Sequence, residues 1–311
     1  MIEDGSGKMA PVSSEISGFA APSAADSFFI QSDFDRSLVQ MVKASAPRGQ
    51  YSARSAICHI DKAAAIAELD PEMAAFRAIT AEVESATPIF HALRRHKYLG
   101  SEQLQPHDHL QKNAVRPFCL AVSELIERVH TSFNLNPSFS VDKEDGELRM
   151  GTRFHAAGVG GGDRWAMPQP PLNMAISAGD PASAMQLHDF TEQLQEIADN
   201  QHAFHIRVYL KQRANARNEI LYASATGLPS VILNKFLEEQ RRVVQINLRL
   251  FLLIDQYPEH QLLAKQALRA FLSPDRAAFP FTNSDNTARQ TFKIWAAFVM
   301  VRLSVQEFHP E

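Results

Sequence analysis

Apolar residues recur about once per helical turn along most of this chain. Phe76, Ile79, Val83, Phe90 and Leu93 follow one another in this way, directly after Asp70-Pro71-Glu72. Aspartate can accept a bond from a free first-turn amide, and proline suits the first helical position, so a helix is expected to start there. Pro88 should kink or divide it. Leu110, Ala114, Phe118, Val122, Leu125, Val129 and Phe133 make a second stripe, with Pro117 as its weak point. A third is expected from Asp180-Pro181 to Ala225 through Leu187, Phe190, Leu194, Ile197, Phe204 and Val208, stopping at Gly227-Leu228-Pro229. A fourth carries Ile232, Phe236, Val243, Ile246, Leu250 and Ile254 and ends near Tyr257-Pro258. Shorter helices are expected over 259–272 and 287–307.

Between residues 138 and 180 the pattern changes. Phe139-Ser140-Val141 and Glu147-Leu148-Arg149-Met150 flank the turn dipeptide Asp145-Gly146, which predicts a hairpin. Gly158 to Gly162 and the proline-rich Met167 to Pro171 then read as a long loop. The expected fold is mainly α, a multi-helix bundle with a small β-hairpin and loop insertion around 138–178. The expected organisation is a mobile tail over 1–27, a helical block over 28–137, the insertion over 138–179 and a second helical block over 180–311, the two blocks packing as one domain. Long helices joined by short turns suggest antiparallel packing. Burial of each stripe drives the packing, so Leu125→Asp or Leu250→Asp should be severely destabilising.

Composition narrows the function classes. With 311 residues and 45% hydrophobic content the chain can bury a large core. A net charge of −4 gives no global pull towards nucleic acid or an anionic membrane. The apolar run from Ile294 to Val301 is broken by Arg302, short of the ~20 residues that span a bilayer. The N-terminus lacks the basic start and apolar block of a secretory signal. Cys58 and Cys119 suggest no disulfide framework, which fits a reducing, cytoplasmic setting, and each thiol reads as a small buried apolar group.

The candidate chemistry is sparse. Gly5-Ser6-Gly7-Lys8 lacks the upstream glycine and following Ser or Thr of a phosphate loop. His107-Asp108-His109, with Lys112 and Asn113 one turn on and His91 and His96 ahead, could hold an anion or a metal at a helix start. The plain alternative is a polar loop in which Asp108 caps the helix. Glu127 with His130, and Asp199 with His202, each place a carboxylate three residues before a histidine, on one helical face, as in carboxylate-bridged di-metal bundles. Arg207, Lys211, Arg213 and Arg217, followed by Arg241, Arg242 and Arg249, could grip a phosphate backbone, or could be a solvated face interleaved with Glu219, Glu238 and Glu239.

Arg54 and His59 enclose four residues, Ser55-Ala56-Ile57-Cys58, and an alanine-rich acidic helix texture follows from Ala74 to Ala86. This resembles the Arg-x4-His signature of the HEPN superfamily, over residues 50–135 at most. The family consists of small helical bundles and includes metal-independent ribonucleases. The resemblance implies His59 as general base or acid and Arg54 as the stabiliser of phosphate charge. On a helix the two lie about 140° apart, so a shared site needs a break between them or a second subunit. Otherwise His59 packs at a helix end and Arg54 faces solvent.

The leading expectation is a ligand-binding or protein-interaction module, forming a homodimer through its amphipathic helices, with no membrane partner and no cofactor that the sequence identifies. A HEPN-type ribonuclease acting on RNA, and a helical metalloenzyme using Glu127, His130, Asp199 and His202, are the alternatives.

Overall fold

A computed structural model describes residues 27–116, 118–119, 136–142, 145–155, 165–174, 177–178, 186–187 and 233–272. Six helices account for 66% of them, with a small antiparallel β unit, so the protein is mainly α. The helices are α1 (Asp33–Ala44), α2 (Pro47–Ile66), α3 (Pro71–Arg95), α4 (109–116, with 118 and 119 also helical), α5 (Leu233–Asp255) and α6 (Leu262–Leu272).

Local chemistry sets the helix starts. Ser32 caps α1 by accepting from the Asp35 amide, and Asp70 caps α3 by accepting from the Met73 amide at 2.9 Å, with Pro71 at the first helical position. Pro88 removes one helical donor but does not divide α3, which runs unbroken from Pro71 to Arg95. Burial of nearly every residue from Ala81 to Phe90 holds the rod together across the proline.

The core is built on α2, α3 and α5. Ala53, Ala56, Ile60 and Ala63 of α2 are fully buried at helical spacing. Small residues there let the backbones approach closely. Gly49 is the tightest case: a Cβ at that position would lie 2.7 Å from the ring of Phe251, itself fully buried. Gly49 against Phe251, and the Ala46 amide donating to Asp255 Oδ2 at 3.3 Å, put the start of α2 beside the end of α5.

α2 is therefore antiparallel to α5. α3 and α5 are instead parallel. Arg116 bridges Glu82 to Glu239, Asn247 donates to Ser85 at 2.9 Å, and Arg95 pairs with Asp255 at 2.9 Å, so the numbering rises along both helices together. A parallel pair needs a long connection, here residues 96–232.

The fourth stripe is shifted from its expected face. Val243 and Ile254 are buried as expected, but Phe236, Ile246 and Leu250 are only half-buried, while Val244, Leu248, Phe251 and Leu252 are fully buried. α5 is covered on more than one side, so a single-face reading finds its edge rather than its centre. Leu110 is likewise exposed, although Ala114 and Phe118 are buried as expected. Val122, Leu125, Val129 and Phe133 lie outside the described residues, as do the tail to residue 26, Gly158 to Gly162 and the helix expected over 287–307.

The hairpin forms where expected. β1 (Asn136–Val141) pairs antiparallel with β2 (Leu148–His155), Val141 opposite Leu148, and β2 continues to a short β3 (Trp165–Ala166). Asp145 and Gly146 sit inside a six-residue connection, 142–147, in which Gly146 has φ 71°. Gln256 docks the hairpin on the end of α5: its side chain accepts from the Met150 amide (2.8 Å) and donates to the Leu148 carbonyl (3.4 Å). The proline-rich loop is docked too, since the Leu172 amide donates to Gln261 at 2.7 Å. β4 (Ser177–Ala178) pairs with β5 (Gln186–Leu187). Leu187, expected in a helix from Asp180, is therefore in a strand, while Phe190, Leu194, Ile197, Phe204 and Val208 of that stripe lie outside the described residues. Gly179-Asp180-Pro181 is turn chemistry as well as helix-start chemistry.

Candidate functional site

A polar seam runs where α3, α4 and α5 meet. Its centre is Arg116 of α4, only 8% exposed. The guanidinium reaches Glu82 of α3 at 3.4 Å, itself 2% exposed, and also pairs with the half-exposed Glu239 of α5. One turn earlier on α4, buried Lys112 pairs with Glu84 of α3 at 3.3 Å. Ser85 donates to the Glu82 carbonyl at 2.7 Å and accepts from Asn247 at 2.9 Å, tying α3 to α5.

Other polar atoms in these three helices have no hydrogen-bond partner among the described residues. The side-chain carbonyl oxygens of Asn113 and Gln240, the Arg116 Nε and the Thr87 hydroxyl are buried without a partner. Asn113 is 3% exposed and Gln240 1%. Asn113 lies one turn before Arg116 on α4, Gln240 adjoins Glu239 on α5, and Thr87 is one turn after Glu84 on α3. Roughly nine in ten buried polar groups find a partner; elsewhere among the described residues Ser138 and Arg249 also carry buried atoms without a hydrogen bond.

The start of α4 is firmly held. Asp108 Oδ1 accepts from the Leu110 (2.8 Å) and Gln111 (3.2 Å) amides. Gln111 in turn accepts from the Gln105 amide at 2.6 Å and donates to the Gln103 carbonyl at 3.2 Å. The helix-start amides that could hold an anion are thus taken by Asp108. His107 and His109 are exposed, and Lys112 is committed to Glu84. The capping alternative therefore describes this segment. His91 does come near His107, in a basic neighbourhood. Burial, then Arg48, Arg94 and His107, hold its pKa below the ordinary histidine value.

Arg54 and His59 sit on the unbroken α2, Arg54 exposed and His59 half-buried well inside the helix. With no bend between them, the two side chains leave the rod about 140° apart. Glu127, His130, Asp199 and His202 lie outside the described residues, as do Arg207, Lys211, Arg213 and Arg217. Among the described residues no group of three or more His, Cys, Asp or Glu could hold a metal. Of the later arginines only Arg242 is exposed. Arg241 pairs with Glu238 at 3.0 Å, and Arg249 lies over the Phe34 ring at 4.5 Å, where burial lowers its pKa to about 10. Neither a phosphate grip nor a solvated face describes Arg241 and Arg249. Cys58 is exposed, against expectation, while burial pushes the Cys119 thiol up to about 12.

The sequence reading missed Glu82, Arg116 and Gln240 as a group. A signal did exist: Glu82 falls three residues after Ile79 and four before Ala86, inside the apolar stripe of α3. No helix among the described residues is long and apolar enough to cross a membrane. No family model, no curated protein and no solved structure matches this chain.

Proposed function

We propose that this protein is a binding module that takes a small polar ligand into the seam between α3, α4 and α5. The observation that carries this reading is a set of buried side-chain atoms on Thr87, Asn113, Arg116 and Gln240, on the three helices that the Glu82–Arg116–Glu239 network joins, with no hydrogen-bond partner among the described residues. Leaving such groups unpaired costs about 1–3 kcal/mol each, so a ligand that completes them gains affinity from atoms already fixed in place. Both hydrogen-bonding senses are offered: two carbonyl oxygens that accept, one guanidinium N–H that donates and one hydroxyl that does either. Two cysteines that form no disulfide, Cys58 and Cys119, support a reducing, cytoplasmic setting.

Melting the full chain with small amines, polyols and carboxylates, at matched ionic strength, tests the reading. At least one class should raise Tm for the parent and leave Gln240→Leu unmoved. A Tm that no class shifts, or an equal shift in Gln240→Leu, overturns it.

A further inference from the structure

Arg249 leaves α5 about 180° around from Gln240, on the side turned to α1. We infer that its guanidinium anchors a second site, where α1, β1 and α5 meet, for a small monocarboxylate with an apolar body. This inference does not rest on the reading of the seam.

The first ground is the hydrogen bonds that Arg249 lacks. A guanidinium carries five N–H donors. Among the described residues those of Arg249 have no acceptor, and no carboxylate pairs with it directly. The residue is 9% exposed. Nε is sealed from solvent, whereas neither Nη is, so solvent still reaches the outer fork of the guanidinium. That fork is a single planar group, and two carboxylate oxygens match it without help from other side chains.

Charge and shape then narrow the ligand. Asp35 attracts Arg249 through space, but its carboxylate is filled by other donors. It accepts from the Gln31 amide at 3.1 Å, the Ser32 hydroxyl at 2.9 Å and the Gln245 side-chain amide at 2.7 Å. Arg241 opposes Arg249 in charge, and is itself paired with Glu238. A monoanion at the fork supplies the missing acceptors, while a dianion is repelled more strongly by Asp35. Arg249 lies over the Phe34 ring at 4.5 Å, and that ring is 4.3 Å from Phe139, with the planes tilted by 32°. The stack holds the guanidinium plane in place. Both rings are half-buried, so part of each remains as apolar surface for the body of the ligand.

Near-isosteric probes on the full-length protein test the assignment. Benzoate is compared with benzamide, and hexanoate with hexanamide, by thermal shift and calorimetric titration at equal ionic strength. The carboxylates should raise Tm by about 2–4 °C well above Kd, and the amides should not. Phenyl phosphate and inorganic phosphate should bind at least tenfold more weakly than benzoate. Arg249→Lys, which keeps the charge and loses the fork, should weaken benzoate binding at least tenfold, and Arg249→Met should abolish it. A carboxylate shift that vanishes in Arg249→Met belongs to Arg249 and does not count as occupancy of the seam. No shift by either carboxylate, an equal shift by the amides, tighter binding of the phosphates or unchanged benzoate binding in Arg249→Lys overturns the assignment.

Discussion

The two sides of α3 are built on opposite principles. Towards α2 the contact is dry, made of alanines and branched apolar residues, with Gly49 and Phe251 nearby at the α2–α5 crossing packed so closely that one added methyl collides. Towards α4 the same helix presents Glu82 and Glu84, which pair with Arg116 and Lys112. Buried ion pairs are weak contributors to stability compared with well-packed apolar residues of the same volume. Apolar burial therefore drives the α2 side, while on the α4 side the polar residues are the less stabilising choice.

Five variants probe that contrast. Phe251→Ala opens the dry side and should cost ~3–5 kcal/mol by urea unfolding. A cost below about 1 kcal/mol would mean the α2–α5 contact is not the core. Arg116→Leu removes the guanidinium that Glu82 and Glu239 share and should cost ~3–5 kcal/mol, while the double variant Glu82→Leu/Arg116→Leu should return to within ~1 kcal/mol of the parent. A double variant as weak as the single would make the seam structural. Gly49→Ala gains helix propensity of ~1 kcal/mol but meets a ring that cannot retreat, so a net loss of ~1–3 kcal/mol is expected in the same assay. The smallest effect is at His91. Its pKa is lowered in the folded state, so the unfolded chain takes up the proton first and stability falls as pH drops through about 6.5. His91→Asn should flatten that part of the stability–pH curve, with Arg48, Arg94 and His107 left in place.

What the sequence made legible was local. The Asp70-Pro71 start of α3 and the Asp145-Gly146 turn work through bonds spanning a few residues, and both form as expected. What it hid was non-local. Nothing near Arg116 announces that it will meet Glu239, which lies 123 residues away. The parallel run of α3 and α5 depends on the whole path of residues 96–232, which short-turn logic cannot supply. On α5 a one-stripe reading chose Leu250, half-buried, over Leu248 and Phe251, fully buried, because a helix packed on several sides has no single apolar face. The histidines at 107 and 109 drew attention because histidine is so often functional, yet the unpartnered atoms belong to Thr87, Asn113, Arg116 and Gln240, ordinary polar residues set among apolar neighbours.

The stability of Asn113→Leu/Gln240→Leu in the absence of any ligand bears most directly on whether the seam is kept polar for binding. Both changes remove buried acceptors that have no partner among the described residues, so even with the Asn113–His109 bond lost the double variant should unfold at higher urea than the parent, by about 1 kcal/mol. A double variant that unfolds at lower urea would show that these side chains hold the helices together, and the binding role assigned to the seam would fall.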